Sequence, residues 1–164
     1  MPCPACDSVA YKVIGSRNRK GRTEDGGVRV YSIRRLRCQK CELIHHELPD
    51  CLVPYKRYQA DVIETAIDDP GGPSDLPADD STLLRWRDWF YTLAEHWLSF
   101  LISLIRQQKW ELPVNGLSDR SLSVRQRIGQ MVGGECGWLS RIVQPLANHH
   151  YWIHTRSACL SGNG

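Results

Sequence analysis

Cys3-Pro-Ala-Cys6 and Cys38-Gln-Lys-Cys41, separated by 31 residues, are the segments on which the fold turns. Four thiolates in this arrangement close a tetrahedral shell around Zn²⁺ and leave no position for water. Such a site is structural, because the metal replaces a hydrophobic core too small to hold a short β-unit together. The spacing therefore predicts a zinc ribbon with Cys3, Cys6, Cys38 and Cys41 as ligands and Zn²⁺ as a structural cofactor. No βαβ pattern flanks either pair, which argues against an iron–sulfur or redox role. His45 and His46 lie close behind the second pair and can each stand in for a cysteine, although four thiolates already complete the shell.

Outward from the cysteines, Ala10–Ser16 reads as a strand and Arg17–Gly27 as a polar loop ending in the turn signal Asp25-Gly26-Gly27. Val28–Arg37 is the returning strand, and Leu43–Leu48 adds a third. Tyr55–Ile67 has the spacing of a helix, with Tyr58, Val62, Ile63 and Ala66 on one face. The stretch Asp68–Asp80 holds three Pro, two Gly and five Asp, so it reads as a loop and a boundary. Asp80 or Ser81 is placed to cap a long amphipathic helix carrying Trp86, Phe90, Leu93, Trp97, Leu101 and Leu104. A break near Glu95-His96 is compatible with the pattern. Two shorter helices are expected near Leu122–Val132 and Cys136–Val143.

The resulting fold class is α+β: a zinc ribbon of short antiparallel strands over 1–53, then a mainly α-helical region. Residues 54–80 are read as a helix and an acidic Pro/Gly-rich linker, 81–155 as a helical domain and 156–164 as a frayed tail. The apolar run Trp97–Ile105 is about half of a membrane span and reads as a core helix, so no membrane partner is expected.

With 164 residues, a hydrophobic fraction of 41% and six Trp, the chain can build a real core. Its net charge of +3 is unevenly spread. Residues 1–58 hold 12 Lys/Arg against 6 Asp/Glu, whereas the remainder holds 9 against 12. A basic head on a mildly acidic body points to a polyanion as partner. Seven cysteines, an odd number in which two close pairs stand out, fit metal better than disulfides. Cys51, Cys136 and Cys159 are left as apolar fillers or free thiols. Met1-Pro2 leads straight into the first knuckle, so no secretory signal is expected, and a reducing cytoplasm is the consistent compartment.

The basic residues are candidate contacts to double-stranded DNA. Arg17, Arg19, Lys20 and Arg22 fall in the expected hairpin loop. Arg34, Arg35 and Arg37 fall on the returning strand, where alternation puts Arg35 and Arg37 on one face and Arg34 on the other. Lys40 lies inside the second knuckle. Only Glu24 and Asp25 oppose the cations of this stretch, and arginine's planar fork suits phosphate. Arg85 and Arg87 follow Ser81-Thr82 at a helix start, a pattern similar to the opening of a recognition helix in a helix-turn-helix. Lys56 and Arg57 complete the set.

The run Ile33-Arg-Arg-Leu-Arg-Cys38, with Cys41, His45-His-Glu-Leu-Pro49 and Val53-Pro-Tyr-Lys-Arg-Tyr58, resembles an uncharacterised bacterial family of zinc-ribbon proteins associated with mobile elements. The head also resembles the N-terminal zinc ribbons of insertion-sequence transposases. The resemblance covers about the first 60 residues and implies metal binding by Cys3, Cys6, Cys38 and Cys41. No ribonuclease-H-type core follows: Asp68, Asp69, Asp79 and Asp80 crowd one loop rather than sitting on separate strands around two metals. Phosphate-binding loops, His-Glu-x-x-His and serine-nucleophile patterns are absent. His149, His150, His154 and Cys159 match no standard zinc spacing. No catalytic residue is assigned and no enzymatic activity is expected. The function expected is a nucleoid-associated DNA-binding accessory or regulatory protein of transposase-related type. A transposase or another protein is a further partner the reading admits, as is a homodimer. The alternatives are a zinc-dependent protein–protein adaptor using its Trp-rich helices, favoured if Trp86, Trp89, Trp97 or Trp110 is exposed in one patch, and a truncated transposase remnant.

Overall fold

The computed structural model describes residues 2–69, 71, 75–107 and 121–149, together with a short strand at 158–160. Along the chain run β1 (Tyr11–Arg22), β2 (Val28–Cys38), β3 (Ile44–Leu48), α1 (Ala60–Asp68), α2 (Asp80–Gln107), α3 (Val124–Val132), α4 (Trp138–Asn148) and β4 (Ala158–Leu160). The first three strands form an antiparallel sheet at the N-terminus, and β4 joins the edge of β3 in parallel. The fold is α+β. β4 lies within the segment read from sequence as a frayed tail.

β1 is longer than its sequence indicates. Residues 17–22 are not a loop, because they pair in register with β2, from Arg17 opposite Ile33 to Arg22 opposite Val28. Cross-strand pairing holds a polar stretch extended where local propensity alone is weak. The turn is where Asp25-Gly26-Gly27 placed it. Gly26 has φ 79°, and the Asp25 carboxylate accepts from the Thr23 hydroxyl and from the Gly27 amide.

The helix expected from Tyr55 begins only at Ala60. The backbone before it is captured by β1. The Arg22 amide donates to the Arg57 carbonyl at 2.9 Å, and the Gln59 amide donates to the Arg22 carbonyl at 3.0 Å. This close approach requires Gly21, where a Cβ would fall 2.8 Å from the Leu52 side chain.

The helix α2 runs unbroken past Glu95-His96. Its start is capped by Asp79, one residue earlier than expected: the Thr82 amide and Ser81 hydroxyl donate to Asp79 Oδ1 at 2.7 and 2.6 Å. The core is continuous. Ile33 and Leu48 from the sheet join Val62 and Ile63 of α1, Phe90 and Trp97 of α2, Ile128 of α3 and Trp138 and Ile142 of α4 in one buried cluster. Glu64 and Asp68, one turn apart on α1, tie the helices together. Glu64 accepts from the amides of Gly137 and Leu139 at 2.7 and 3.0 Å, which caps α4 from outside. Asp68 grips Arg125 through both oxygens and accepts from the Trp138 indole at 2.9 Å. No helix among the described residues is long and apolar enough to cross a membrane.

Candidate metal centre and cationic cleft

The two Cys-x-x-Cys turns are built alike. In the first, the Asp7 amide donates to the Cys3 carbonyl at 2.8 Å and the Cys3 amide donates to Ser8 at 2.8 Å. In the second, Glu42 donates to Cys38 and Cys38 donates to Leu43, each at 3.0 Å. The residue after the second cysteine is left-handed in both, with φ 57° at Asp7 and 62° at Glu42. That conformation turns the chain back so that both sulfurs of a pair face the same point.

The four sulfurs all lie within 4.8 Å of one another. Cys3 and Cys41 are 3.6 Å apart, and Cys6 and Cys38 are 3.5 Å apart. A tetrahedron with metal–sulfur bonds of about 2.3 Å has edges of about 3.8 Å, so the cluster fits a four-coordinate thiophilic ion. None of the four is in a disulfide. Backbone amides point at the sulfurs. Those of Cys41 and Lys40 hold the Cys38 thiol down to about 6, against the opposing effect of burial. The Leu43 amide favours the thiolate of Cys41, but burial and the neighbouring sulfurs push that thiol up to about 12. A metal ion bound here takes the cysteines as thiolates and displaces the protons they still carry. His45, fully buried, brings its Nε2 to 3.3 Å from Cys3 Sγ and meets the Tyr11 ring edge-on. It stands behind the cysteines, beside a set that already offers four ligand atoms.

At the far end of the hairpin lies a different site. An 11-residue strand separates the two, a distance of roughly 35 Å. Here Arg22 from β1, Lys56 and Arg57 from the loop before α1, and Arg85 from the first turns of α2 line a cleft of about 650 Å³. Tyr55, Tyr58, Thr82, Trp86 and Asp79 complete its wall. Asp79 is already engaged by Ser81 and Thr82. Among the described residues none of the four cations forms an ion pair. Lys56 Nζ sits 4.0 Å over the Trp89 ring; burial, then the charge of Arg85, lowers its pKa. Arg22 lies over the Tyr58 ring at 5.5 Å.

Tyr55 is the unusual residue of this cleft. The Lys56 amide donates to the Val53 carbonyl at 3.2 Å, so Val53-Pro54-Tyr55-Lys56 is a turn. Proline suits its second position and glycine its third. The third position holds Tyr55, with φ 61° and 69% exposure. A bulky residue there costs about 1 kcal/mol or more in backbone strain. The turn is fixed from behind, because the Arg19 guanidinium donates to the carbonyls of Val53 and Lys56 at 2.7 and 2.9 Å.

A family model described as a domain of unknown function, DUF6431, matches residues 3–86, just over half of the chain. The chain belongs to this family. The DUF6431 match runs from Cys3 through Trp86, so it takes in every ligand candidate and every residue lining the cationic cleft. No curated protein and no solved structure matches the chain.

Within this DUF6431 chain the other basic residues go to different tasks. Arg19 clamps the turn, and burial lowers its pKa. Arg87 donates to the carbonyls of Ala66 and Asp69 and closes the end of α1. Arg34 is paired with Glu47 directly across the sheet and Arg37 with Glu42 at 3.1 Å, so both charges are offset. Arg35 and Arg17 flank His46 and, after its burial, add to the lowering of its pKa. Lys40 stays at the metal end. Lys20 shares a shallow pocket with Arg22, Val28 and Arg57 and extends the cleft along the ribbon. Eleven residues, 69–79, separate α1 from α2, more than the tight turn of a helix-turn-helix holds. Trp86 and Trp97 are buried and Trp89 is partly buried beneath Lys56, while Trp110 lies outside the described residues. Sequence reasoning missed Tyr55 as a site residue. The signal was Pro54 before it, which favours a turn over a helix start here.

Proposed function

We propose that this chain is a zinc-stabilised module that binds double-stranded DNA, acting as an accessory or regulatory protein rather than as a catalyst. One observation carries the reading: Arg22, Lys56, Arg57 and Arg85 converge from three segments on one cleft with no carboxylate paired to them. Asp79 is the single carboxylate in that wall, so the four cations leave it net positive, and a polyanion stabilises such a surface. Lys20 continues the basic surface. Around the turn, Glu24, Asp25, Asp61 and Asp75, with Arg29 among them, line a separate cleft of net negative charge. The burial of Trp86 and Trp97 supports this reading over a protein–protein adaptor with exposed tryptophans.

Zinc is the metal that best suits four thiolates with no open position, and in this reading it holds the ribbon without taking part in chemistry. The transposase and mobile-element setting rests on the resemblance of the ribbon alone.

The test is a fluorescence-anisotropy titration of zinc-loaded protein on a duplex at several salt concentrations. Binding is expected to weaken steeply with salt. In an Arg22/Arg57/Arg85→Ala variant the log–log slope is expected to flatten by about 2–3, close to one unit for each phosphate the variant no longer neutralises. An Arg34/Arg37→Ala variant, whose charges are already offset, is expected to change it little. No duplex binding at low salt would end the proposal.

A further inference from the structure

We infer that the cationic cleft accepts an unpaired nucleotide of DNA, its base stacked on Tyr55 and its phosphate held by Arg22, Arg57 and Arg85. This deepens the DNA-binding reading and rests on it. The argument starts from the backbone. Tyr55 occupies a left-handed turn position that glycine fills without strain, yet the residue is 69% exposed and gains little from packing. Neither the turn nor the core requires a tyrosine there. Strain of this kind persists only where the surroundings over-determine it, and it clusters at binding sites.

The surroundings do over-determine it. The turn is pinned by the Arg19 guanidinium, by the buried Pro54, and by the backbone exchange of Arg22 with Arg57 and Gln59. Tyr55 thus presents an aromatic ring from a rigid turn, beside four cations that share a single carboxylate, Asp79, in the cleft wall. An aromatic face next to a positively charged groove is the chemistry that recognises single-stranded nucleic acid, because every base has a π-face and every nucleotide a phosphate. A continuous duplex keeps its base faces stacked inside, so only an unstacked nucleotide offers both groups at once. The cleft, about 650 Å³, lies within the usual range for a small-molecule site and has room for one nucleotide.

The experiment compares two probes on the zinc-loaded full chain: a blunt duplex, and the same duplex with a short single-stranded extension. The parent protein is expected to bind the extended probe about fivefold or more tightly than the blunt one, the least that one stacked base supplies. Tyr55→Phe keeps the ring and is expected to keep that ratio. Tyr55→Ala and Tyr55→Gly are expected to bring it to about one. Tyr55→Gly also removes the left-handed strain and is expected to melt no lower than the parent, so its loss of preference is not loss of fold. Equal affinity of the parent for both probes, with duplex binding intact, overturns this inference alone, as does a preference that survives Tyr55→Ala. Absence of binding to either probe at low salt overturns it together with the DNA-binding reading.

Discussion

His45 shows how much one buried side chain can contribute to a metal centre. Four thiolates around a dication leave a net charge of −2 in a site where Cys3 and Cys38 are fully buried. Burying charge is costly unless donors compensate it. In the tautomer protonated at Nε2, His45 donates to Cys3 Sγ across 3.3 Å. Groups behind the ligands commonly change metal affinity 10–100-fold when removed. His45→Phe keeps an aromatic ring at the position but removes the donor. Its affinity for zinc is expected to fall by about that factor in a competition titration with a chromophoric chelator. His45→Gln, which retains an N–H, is expected to recover part of the loss. Equal affinity in the Phe variant would show that the imidazole only fills space. The four ligands were legible from spacing, since two tight turns need only local sequence. The role of His45 was not, because its distance from Cys3 depends on how β3 docks beside the first knuckle.

At the scale of elements, α1 does more than its nine residues announce. Glu64 is 4% exposed and satisfies two amides at the start of α4, a helix whose own cap position, Gly137, offers no side chain. Glu64→Ala leaves both amides without that acceptor at a buried helix end. The expected cost is about 2–3 kcal/mol, read as a fall in Tm of roughly 5–10 °C. Burial raises the Glu64 carboxyl above the usual carboxylate range, although the amides of Leu139 and Gly137 oppose the shift. The folded state therefore holds this proton to higher pH than the unfolded chain. Its stabilising effect is complete below about pH 4.3 and is lost as pH rises through the folded value. Glu64→Gln should flatten that decline in a pH series of melts, and an unchanged slope would assign it to another group. Element identity was readable where periodicity was strong, as in α2 with Trp86, Phe90 and Trp97 on one side. It failed where distant partners decide. Arg17–Arg22 are extended because β2 lies beside them, and Tyr55–Tyr58 are non-helical because β1 takes their backbone hydrogen bonds.

For the whole molecule, the question is whether the metal stabilises only the ribbon or the entire chain. Ile33 and Leu48 of the sheet share one core with Phe90, Trp97 and Trp138 of the helices. Ser140 on α4 donates to the carbonyl of Asp50 at 3.0 Å, and the cleft wall is drawn from β1, the loop before α1 and α2 together. A sheet that loses its metal loses the end of β2 at Cys38 and, through Ile33 in the same strand, part of the common core. Metal-binding free energy is folding free energy where the site forms only on folding. Stripping the metal with a chelator should therefore lower Tm by at least about 10 °C, the effect of a few kcal/mol in a domain of this size. Helical and β signals in circular dichroism should fall together in one transition. The duplex affinity proposed above should fall with them, although the cationic cleft lies roughly 35 Å from the cysteines, because Arg22 is carried on the strand whose other end, Tyr11, pairs with the ligand candidate Cys38. Two separate transitions, with the helices melting as before, would instead divide the chain into an independent ribbon and an independent helical domain.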